Sequence, residues 1–196
     1  KMINVNIVGE VNFPGLYPLH PFSNIITGLI RSGGVDTTGS LRSIKIVRSE
    51  SETLEIDLYD FFINGNLSKD IQLRDRDVIV VPTRKSTVFI DSSVVRPGIY
   101  ESIDNETVYK MIDYAGGPSI NASSFITLER ILDQSERSKN KINYINSFLD
   151  YSEAKKTPVK NGDRITLRSI PEKMSKVEII GQVKKPGFYE YYDGMK

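Results

Sequence analysis

Residues 5–19 read VNIVGEVNFPGLYPL, and the phrase returns as VFIDSSVVRPGIYE at residues 88–101 and as VEIIGQVKKPGFYE at residues 177–190. In each version apolar residues alternate with polar ones, a Pro-Gly pair interrupts them, and a tyrosine follows. Alternation with a period of two indicates a strand with one buried face. Because proline fixes φ at the second turn position and glycine accepts a positive φ after it, we expect a type II turn. The phrase therefore predicts a β-hairpin in three copies.

Landmarks outside the hairpin indicate that a longer unit is repeated. The Pro-Gly pairs of the first two copies are 83 positions apart, and so are the glycine pairs that begin at Gly33 and Gly116. The motif RDRDVIVV around Asp77 matches KNGDRITL around Asp163 at a separation of 86, so we expect about three extra residues within the second copy. We predict two domains and the first hairpin of a truncated third copy, at residues 1–84, 85–172 and 173–196.

Each full copy predicts one main helix after its hairpin. In the second copy we expect Asp104 to cap a helix whose apolar face has helical spacing. In the first copy we expect Ser23 or Asn24 to be the cap. The glycine pair that follows supplies the left-handed residue with which helices commonly end. The predicted apolar faces are Ile25, Ile26, Leu29 and Ile30 in the first copy, and Val108, Met111, Ile112 and Ala115 in the second.

The remainder of each copy predicts further strands. In the first copy, SIKIVR and TLEIDL predict an antiparallel pair, LYDFFING a short helical turn, and DVIVVP a closing strand. In the second copy, FITLER, INYINSFL and DRITLR repeat this order, with a solvated polar loop expected at DQSERSKNK. This order predicts the α+β class, with tandem β-grasp domains that each have a curved mixed sheet and one main helix packed on it. One copy is near the lower size limit for a core, so we expect successive copies to pack together.

Composition excludes several classes of function. The 196 residues include 26 basic and 25 acidic side chains, for a net charge of +1, so no field of one sign attracts nucleic acid or an anionic membrane. The sequence has no apolar run of about 18 residues, so we predict no transmembrane segment. The absence of cysteine excludes disulfides, thiolate catalysis and Cys-ligated zinc. Because KMINVNIVGE starts within a strand pattern, we interpret the chain as a piece of a longer polypeptide.

Few residues offer catalytic or metal-binding chemistry. His20 lies between two prolines, which favours a surface loop. Asp75 and Asp77 lack the further oxygen ligands that calcium requires, so we expect an ion-paired turn there. The basic run RSKNK, with Lys155 and Lys156, is expected to be solvated. We therefore predict no enzymatic activity, no cofactor and no metal site.

Three tyrosines occupy equivalent positions after the Pro-Gly pairs, namely Tyr17, Tyr100 and Tyr189. Exposed aromatic rings can stack on sugars, so these residues are candidate glycan contacts. The other interpretation, which we favour, is packing within each copy, with the hydroxyl group reaching water.

The pattern G-x-V-x-x-P-G-x-Y, an amphipathic helix that ends in S-G-G or A-G-G, and a D-x-I/V-x-V strand together resemble the SLBB (soluble ligand-binding β-grasp) domain. The resemblance covers nearly the whole chain, twice completely and once in part. The second copy departs from the pattern at Ser92, where the other copies have Gly9 and Gly181. We expect the fold to tolerate this serine.

The resemblance implies a non-catalytic periplasmic module of a bacterial polysaccharide (capsule or exopolysaccharide) export protein, associated with the outer membrane through parts of the protein outside these residues. The implied partners are further SLBB copies or a second molecule, the polysaccharide, and inner-membrane export proteins. The alternative is a small-ligand-binding β-grasp module unrelated to export. An enzyme is the least favoured class.

Overall fold

A computed structural model describes residues 1–49, 52–66, 72–140, 142–170 and 176–190. The first repeat contains β1 (Ile3–Gly9), β2 (Gly15–Leu19), α1 (Ile25–Arg31), β3 (Ile44–Ser49), β4 (Glu52–Ile56), α2 (Tyr59–Asn64) and β5 (Val78–Val81). The second contains β6 (Thr87–Ser92), β7 (Gly98–Glu101), α3 (Val108–Tyr114), β8 (Ala122–Ile131), α4 (Gln134–Asn140), β9 (Tyr144–Leu149), α5 (Tyr151–Ala154) and β10 (Arg164–Ser169). The third hairpin is formed by β11 (Lys176–Ile179) and β12 (Gly187–Glu190).

The two full repeats have the same sheet topology. The strand orders are β2-β1-β5-β3-β4 and β7-β6-β10-β8-β9. In each sheet the first strand is parallel to the closing strand, with Ile7 opposite Ile79 and Ile90 opposite Ile165, and the other pairings are antiparallel. The predicted α+β class with tandem mixed sheets is therefore confirmed. The domain limits at residues 84 and 172 remain predictions.

Each sheet buries one face beneath its main helix. In the first repeat, Ile25 and Leu29 of α1 are buried against the sheet, and Gly28 lies between them on the same face. A Cβ atom on Gly28 would lie 2.9 Å from Ile79 Cδ1, so the helix packs very close to the sheet. The prediction that Ile30 belongs to the apolar face is wrong, because this side chain points away from the helix face that packs on the sheet and is 71% exposed. All four predicted core residues of α3 are buried.

The helix ends confirm some predictions and correct one. Asn24 caps α1, accepting a hydrogen bond from the Thr27 N–H at 3.1 Å. Thr107, and not Asp104, caps α3, because the chain turns through a positive φ at Asn105 before Thr107 becomes extended and accepts from the Lys110 N–H. Both helices are followed by the expected left-handed glycine pairs, Gly33-Gly34 and Gly116-Gly117.

The prediction of a type II turn is wrong at the first two Pro-Gly pairs, whereas Gly187 of the third pair has a positive φ of 150°. Gly15 and Gly98 begin the second strand of their hairpins and are not among the residues with positive φ. A left-handed residue instead lies at the end of the first strand, at Gly9 and Ser92, and two residues beyond β11, at Gly181. The loop that follows is anchored to the end of the main helix, because the Phe13 N–H bonds to the Ser32 carbonyl oxygen and the Arg96 N–H to that of Ala115. A wide loop replaces the tight turn because the loop also caps the helix end.

The polar segment between β8 and β9 was expected to be a loop, and within the described residues it forms helix α4. The side chains of residues 134–139 are exposed, as expected for a solvated segment, but they include good helix formers with a favourable charge order. Glu136 lies in the first turn, and Arg137 and Lys139 lie in the last. Lys141 lies outside the described residues.

The third hairpin pairs β11 with β12 in antiparallel register, with Val177 opposite Tyr189. It repeats the first strand pair of each sheet without a described helix above it. Val177, Ile180 and Phe188 are 47%, 76% and 71% exposed. The structure therefore leaves apolar surface uncovered on this hairpin.

Candidate functional site at the junction of the repeats

The two repeats meet at a buried charge. Arg42 lies just before β3, and only 3% of its side chain is exposed. Its guanidinium carbon lies 4.5 Å from the ring centroid of Tyr59 on α2 and 5.1 Å from that of Tyr114 on α3. Because aromatic faces attract cations, a single arginine contacts both repeats through ring faces.

Ion pairs connect the same guanidinium to both repeats. Arg42 Nη2 lies 2.9 Å from Asp57 Oδ2 in the first repeat, and Nη1 lies 2.6 Å from Glu106 Oε2 in the second. Removing one partner of a buried ion pair leaves the other charge desolvated, which costs several kcal/mol. The contact that Arg42 makes between the repeats is therefore costly to break.

Glu101, at the end of β7, makes a second connection, from a side chain of the second repeat to the loop before β3 in the first. Its carboxylate accepts hydrogen bonds from the Ser40 hydroxyl and, at 2.8 Å, from the Leu41 N–H. Its own N–H donates to the Tyr59 hydroxyl oxygen. Charge-assisted bonds of this kind are stronger than neutral ones, and the carboxylate satisfies donors that the loop before β3 would otherwise bury unpaired.

Three ionisable side chains at this junction each keep one protonation state near neutral pH. Burial alone lowers the pKa of Arg42, but the bonds to Glu106 and Asp57 outweigh burial and leave the pKa above its ordinary value. Burial raises the pKa of Tyr59 to about 12. Burial and the hydrogen bond to Glu106 raise the pKa of Tyr114 above its ordinary value. These three groups therefore keep their protons near neutral pH and do not act there as acids or bases.

A cleft of about 390 Å³ opens beside this network. Its size falls in the range of sites for small ligands. Serine hydroxyls and charges of both signs from the two repeats form its walls, an arrangement that can hydrogen-bond a polar ligand. The lining residues are Arg42, Ser43, Glu55, Lys85, Ser86, Glu101, Ser102, Ile103 and Asp104.

A second groove of about 270 Å³ lies on the aromatic side of the junction. It includes Tyr100, one of the three tyrosines singled out in the sequence, together with Tyr59, Tyr114 and the cation Arg96. Ring faces beside a cation are suited to contact with a sugar or with another aromatic group.

The three predicted tyrosines lie on three different hairpins and share one hydrogen bond. The hydroxyl groups of Tyr17, Tyr100 and Tyr189 donate to the carbonyl oxygen four residues earlier, at 2.5, 2.6 and 2.7 Å. Their hydroxyls thus reach backbone oxygen where we expected water. Tyr17 and Tyr100 also pack against the cores of their own repeats. Whether the three rings serve packing or glycan contact remains a prediction.

The other sequence candidates lie away from the junction. His20 is exposed, with its ring 5.3 Å from that of Phe22. Asp77 is buried and accepts from Arg48 and from the Arg74 N–H, so the DRD motif is an ion-paired turn. Within the described ranges, no group of three or more His, Cys, Asp or Glu residues could hold a metal ion. None of the described helices is long and apolar enough to cross a membrane.

Sequence reasoning missed the junction residues because it looked for what the copies share. The signal was in their differences. At the position after the hairpin tyrosine, the second copy has Glu101 and the third has Glu190, whereas the first has Pro18. A glutamate in the copies that follow another copy, and its absence from the first, indicates a contact with the preceding repeat.

Comparison with known proteins agrees with the architecture. Residues 4–81 and residues 92–138 each match the SLBB domain. Two curated sequences named polysialic acid transport protein KpsD, from Escherichia coli, are each 34% identical to the chain over 93 residues. The matched segment covers 47% of this chain and 16% of the relative, so the chain corresponds to a small part of that protein's length. The chain belongs to the SLBB-domain family, with two copies of the domain in tandem.

Proposed function

We propose that the chain is a non-catalytic periplasmic module of a bacterial polysaccharide export protein. The support comes from tandem SLBB domains and from the similarity to a polysialic acid transport protein. The module acts by packing, and it contacts glycan or partner proteins through the surfaces at its repeat junctions. Association with the outer membrane is made by parts of the protein outside these residues.

The junction around Arg42 is the observation that carries a packing role. A buried cation paired with carboxylates of both repeats is sensitive to geometry, so it sets one repeat in a defined orientation on the other. Defined orientation is what a structural element needs if it is to assemble with further SLBB copies or with a second molecule. We extend the proposal to polysaccharide and to inner-membrane export proteins as the remaining partners.

A non-catalytic role fits the chemistry of the junction. The protonation states of Arg42, Tyr59 and Tyr114 are fixed near neutral pH, and the histidine lies on an exposed loop. We propose neither a cofactor nor a metal. The purified chain should accordingly give no turnover of capsular oligosaccharides, and turnover that His20→Ala abolished would contradict this part of the proposal.

The test is an in-frame deletion of residues 1–196 in the source bacterium. We expect surface polysaccharide to be lost and polymer to accumulate inside the cell, with recovery when the wild-type protein is supplied. The same strain carrying Arg42→Met should recover less well than one carrying the surface variant Arg164→Met. Unchanged surface polysaccharide in the deletion strain would contradict a role in export.

The second candidate is a small-ligand-binding module, favoured by the charged cleft of about 390 Å³. Lys85 and Asp104 line this cleft, and Asp104 is exposed, so Lys85→Ala and Asp104→Ala can be made without opening the core. Calorimetry with mono- and oligosaccharides, neutral and acidic, and with nucleotides gives the comparison. Tight binding of a compound that is not a sugar, lost in both variants, would favour this candidate over export.

A further inference from the structure

The outer face of β8 and β9 is unusually apolar for an exposed sheet surface. Phe125, Ile131, Tyr144 and Phe148 are 63%, 55%, 54% and 66% exposed. Thr127 lies opposite Phe148 and Ile131 opposite Tyr144, so these side chains project from the same face, opposite to the buried Ile126 and Leu128. Phe125 and Phe148 are diagonal neighbours on this face, and the Glu129–Asn146 pair separates them from Ile131 and Tyr144. An exposed apolar patch such as that of Phe125 and Phe148 marks an interaction surface.

The equivalent positions in the first repeat are polar. Ile46 pairs with Ile79 of the closing strand, and Leu128 pairs with the equivalent Ile165, so Ile46 and Leu128 are counterparts. Ser43 lies three residues before Ile46, and Phe125 lies three residues before Leu128. Ser43 is therefore the counterpart of Phe125. Ile44 pairs with Ile56, and its counterpart Ile126 pairs with Leu149. The residues just before Ile56 and Leu149 are therefore counterparts, and they are Glu55 and Phe148. The register of the two sheets therefore assigns each phenylalanine to a polar residue of the first repeat.

Those polar counterparts face the next repeat. Ser43 and Glu55 line the junction cleft together with Ser102, Ile103 and Asp104, which follow the hairpin of the second repeat. The surface occupied by Phe125 and Phe148 is thus the one on which the following repeat rests in the first junction.

The third copy carries a matching change in sequence. After Tyr100-Glu101 the second copy continues with Ser102 and Ile103, whereas after Tyr189-Glu190 the third continues with Tyr191 and Tyr192. The last two residues lie outside the described residues, and their equivalence rests on the sequence alone. Both sides of the second junction therefore change toward aromatic residues.

The polar contacts of the first junction are absent from the corresponding positions of the second repeat. By the same registers, Arg42 corresponds to Ser124. Serine cannot form the ion pairs of Arg42. A third repeat consequently needs a different means of attachment.

The connection is long enough for the same arrangement. Residues 82–86, five in number, separate β5 from β6, and residues 170–175, six in number, separate β10 from β11. The hairpin also has apolar side chains with no cover, among them Ile180 and Phe188. One chain thus presents an apolar sheet face and an apolar hairpin within reach of each other.

We propose that the outer face of β8–β9, centred on Phe125 and Phe148, is the docking surface for the β11–β12 hairpin of the same chain and the tyrosine pair that follows it. The two repeat junctions then use different chemistry in equivalent places. The first is a buried ionic contact, and the second is an apolar and aromatic one.

The test is hydrogen exchange, followed by mass spectrometry, on the intact 196-residue chain. We expect slow exchange across residues 176–190 that is independent of protein concentration. Phe125→Ser combined with Phe148→Glu installs the residues of the first repeat and should speed exchange there about tenfold, and Tyr191→Ser with Tyr192→Ile should do the same. Phe22→Ser removes an 81% exposed phenylalanine far from this face in sequence and should leave the hairpin unchanged.

Two outcomes would overturn the proposal. Equal hairpin exchange in the wild type and both double variants would show that the face does not hold the hairpin. Protection that disappears on dilution would assign the face to a second molecule. Protection of β6 and β10, measured in the same experiment, checks that each variant remains folded.

Discussion

At the scale of single residues, one position at or just beyond the end of the first strand of each copy has a left-handed backbone. The φ angles are +90° at Gly9, +70° at Ser92 and +107° at Gly181. A Cβ atom on Gly9 would lie 2.1 Å from the Val81 carbonyl oxygen, so glycine is required there. Ser92 keeps the same conformation, and the next N–H bonds to the closing strand as it does in the first copy. The second copy therefore tolerates serine at a cost in strain.

The first prediction concerns that strain. Ser92→Gly should raise the free energy of unfolding by about 0.5–1 kcal/mol, because a left-handed backbone costs a residue with a Cβ about 1–2 kcal/mol and glycine returns part of this as chain entropy. Gly9→Ala should lower it by about 2–3 kcal/mol through strain and collision. Urea unfolding measures both. A Ser92→Gly variant less stable than the wild type would show that the hydroxyl makes a contact that outweighs the strain.

The second prediction is a pH dependence that arises at Tyr59. The pKa of this tyrosine is about 12 in the folded chain, compared with the ordinary value of 10.0 that applies when the chain is unfolded. The folded protein therefore holds the proton more tightly. Its contribution to stability is full below pH 10.0 and is lost as the pH rises through about 12. The loss is about 2–3 kcal/mol. Between these limits, urea unfolding of Tyr59→Phe should decline less steeply with pH than that of the wild type. Parallel curves for the two proteins would contradict the assignment.

At the scale of elements, the same ion pair supports the closing strand in both repeats. Arg48 Nε lies 3.3 Å from Asp77 Oδ1, and Arg130 Nη2 lies 2.7 Å from Asp163 Oδ2. Each arginine also donates to a backbone carbonyl oxygen just before that turn, that of Gln72 in one repeat and of Pro158 in the other. Duplication has thus preserved hydrogen bonds as well as strands.

The third prediction tests where α3 begins. Thr107→Ala removes the side chain that accepts from the Lys110 N–H and should cost about 1 kcal/mol of unfolding free energy. Asp104→Ala is the matched control, because Asp104 lies outside the helix and should change stability by less than about 0.5 kcal/mol. Thermal unfolding of both variants gives the comparison. A larger loss for Asp104→Ala would restore the cap expected from the sequence.

The sequence predicts elements well where one pattern decides them. Alternating residues give the strands, and the buried face of α3 follows from helical spacing. The sequence fails where a neighbouring element decides. The Pro-Gly loops take their shape from the helix ends to which they bond, and no local pattern shows that effect. Helix α4 is missed for another reason, because it forms from helix-favouring residues in a favourable charge order without the apolar stripe that predicts a packed helix.

At the scale of the whole molecule, the fold could be predicted from what the copies share, whereas the candidate site could not. Tyr59 and Tyr114 become neighbours, with ring centroids 5.2 Å apart, because two separate repeats pack together. Arg42 has no counterpart arginine in the second copy and therefore belongs to no repeated pattern. The residues that form contacts between copies are found at positions where the copies differ in sequence.

The last prediction addresses the coupling of the two repeats. Arg42→Met keeps an unbranched apolar stem but removes the guanidinium group, which leaves Glu106 without its cation, with 11% of that glutamate side chain exposed. We expect a loss of about 3 kcal/mol, and we expect the single unfolding transition of two coupled repeats to separate into two.

Arg164→Met is the matched control, because Arg164 makes a surface pair with Asp91 at 3.8 Å and is 53% exposed. Such pairs contribute less than about 1 kcal/mol, so one cooperative transition should remain in this variant. Calorimetry and urea unfolding, followed by far-UV circular dichroism, measure both properties. If Arg42→Met still unfolds in one transition with a loss no greater than that of Arg164→Met, the repeats are coupled by something other than the buried guanidinium. The next variant to test would then be Glu101→Gln, because that side chain forms the second connection across the junction.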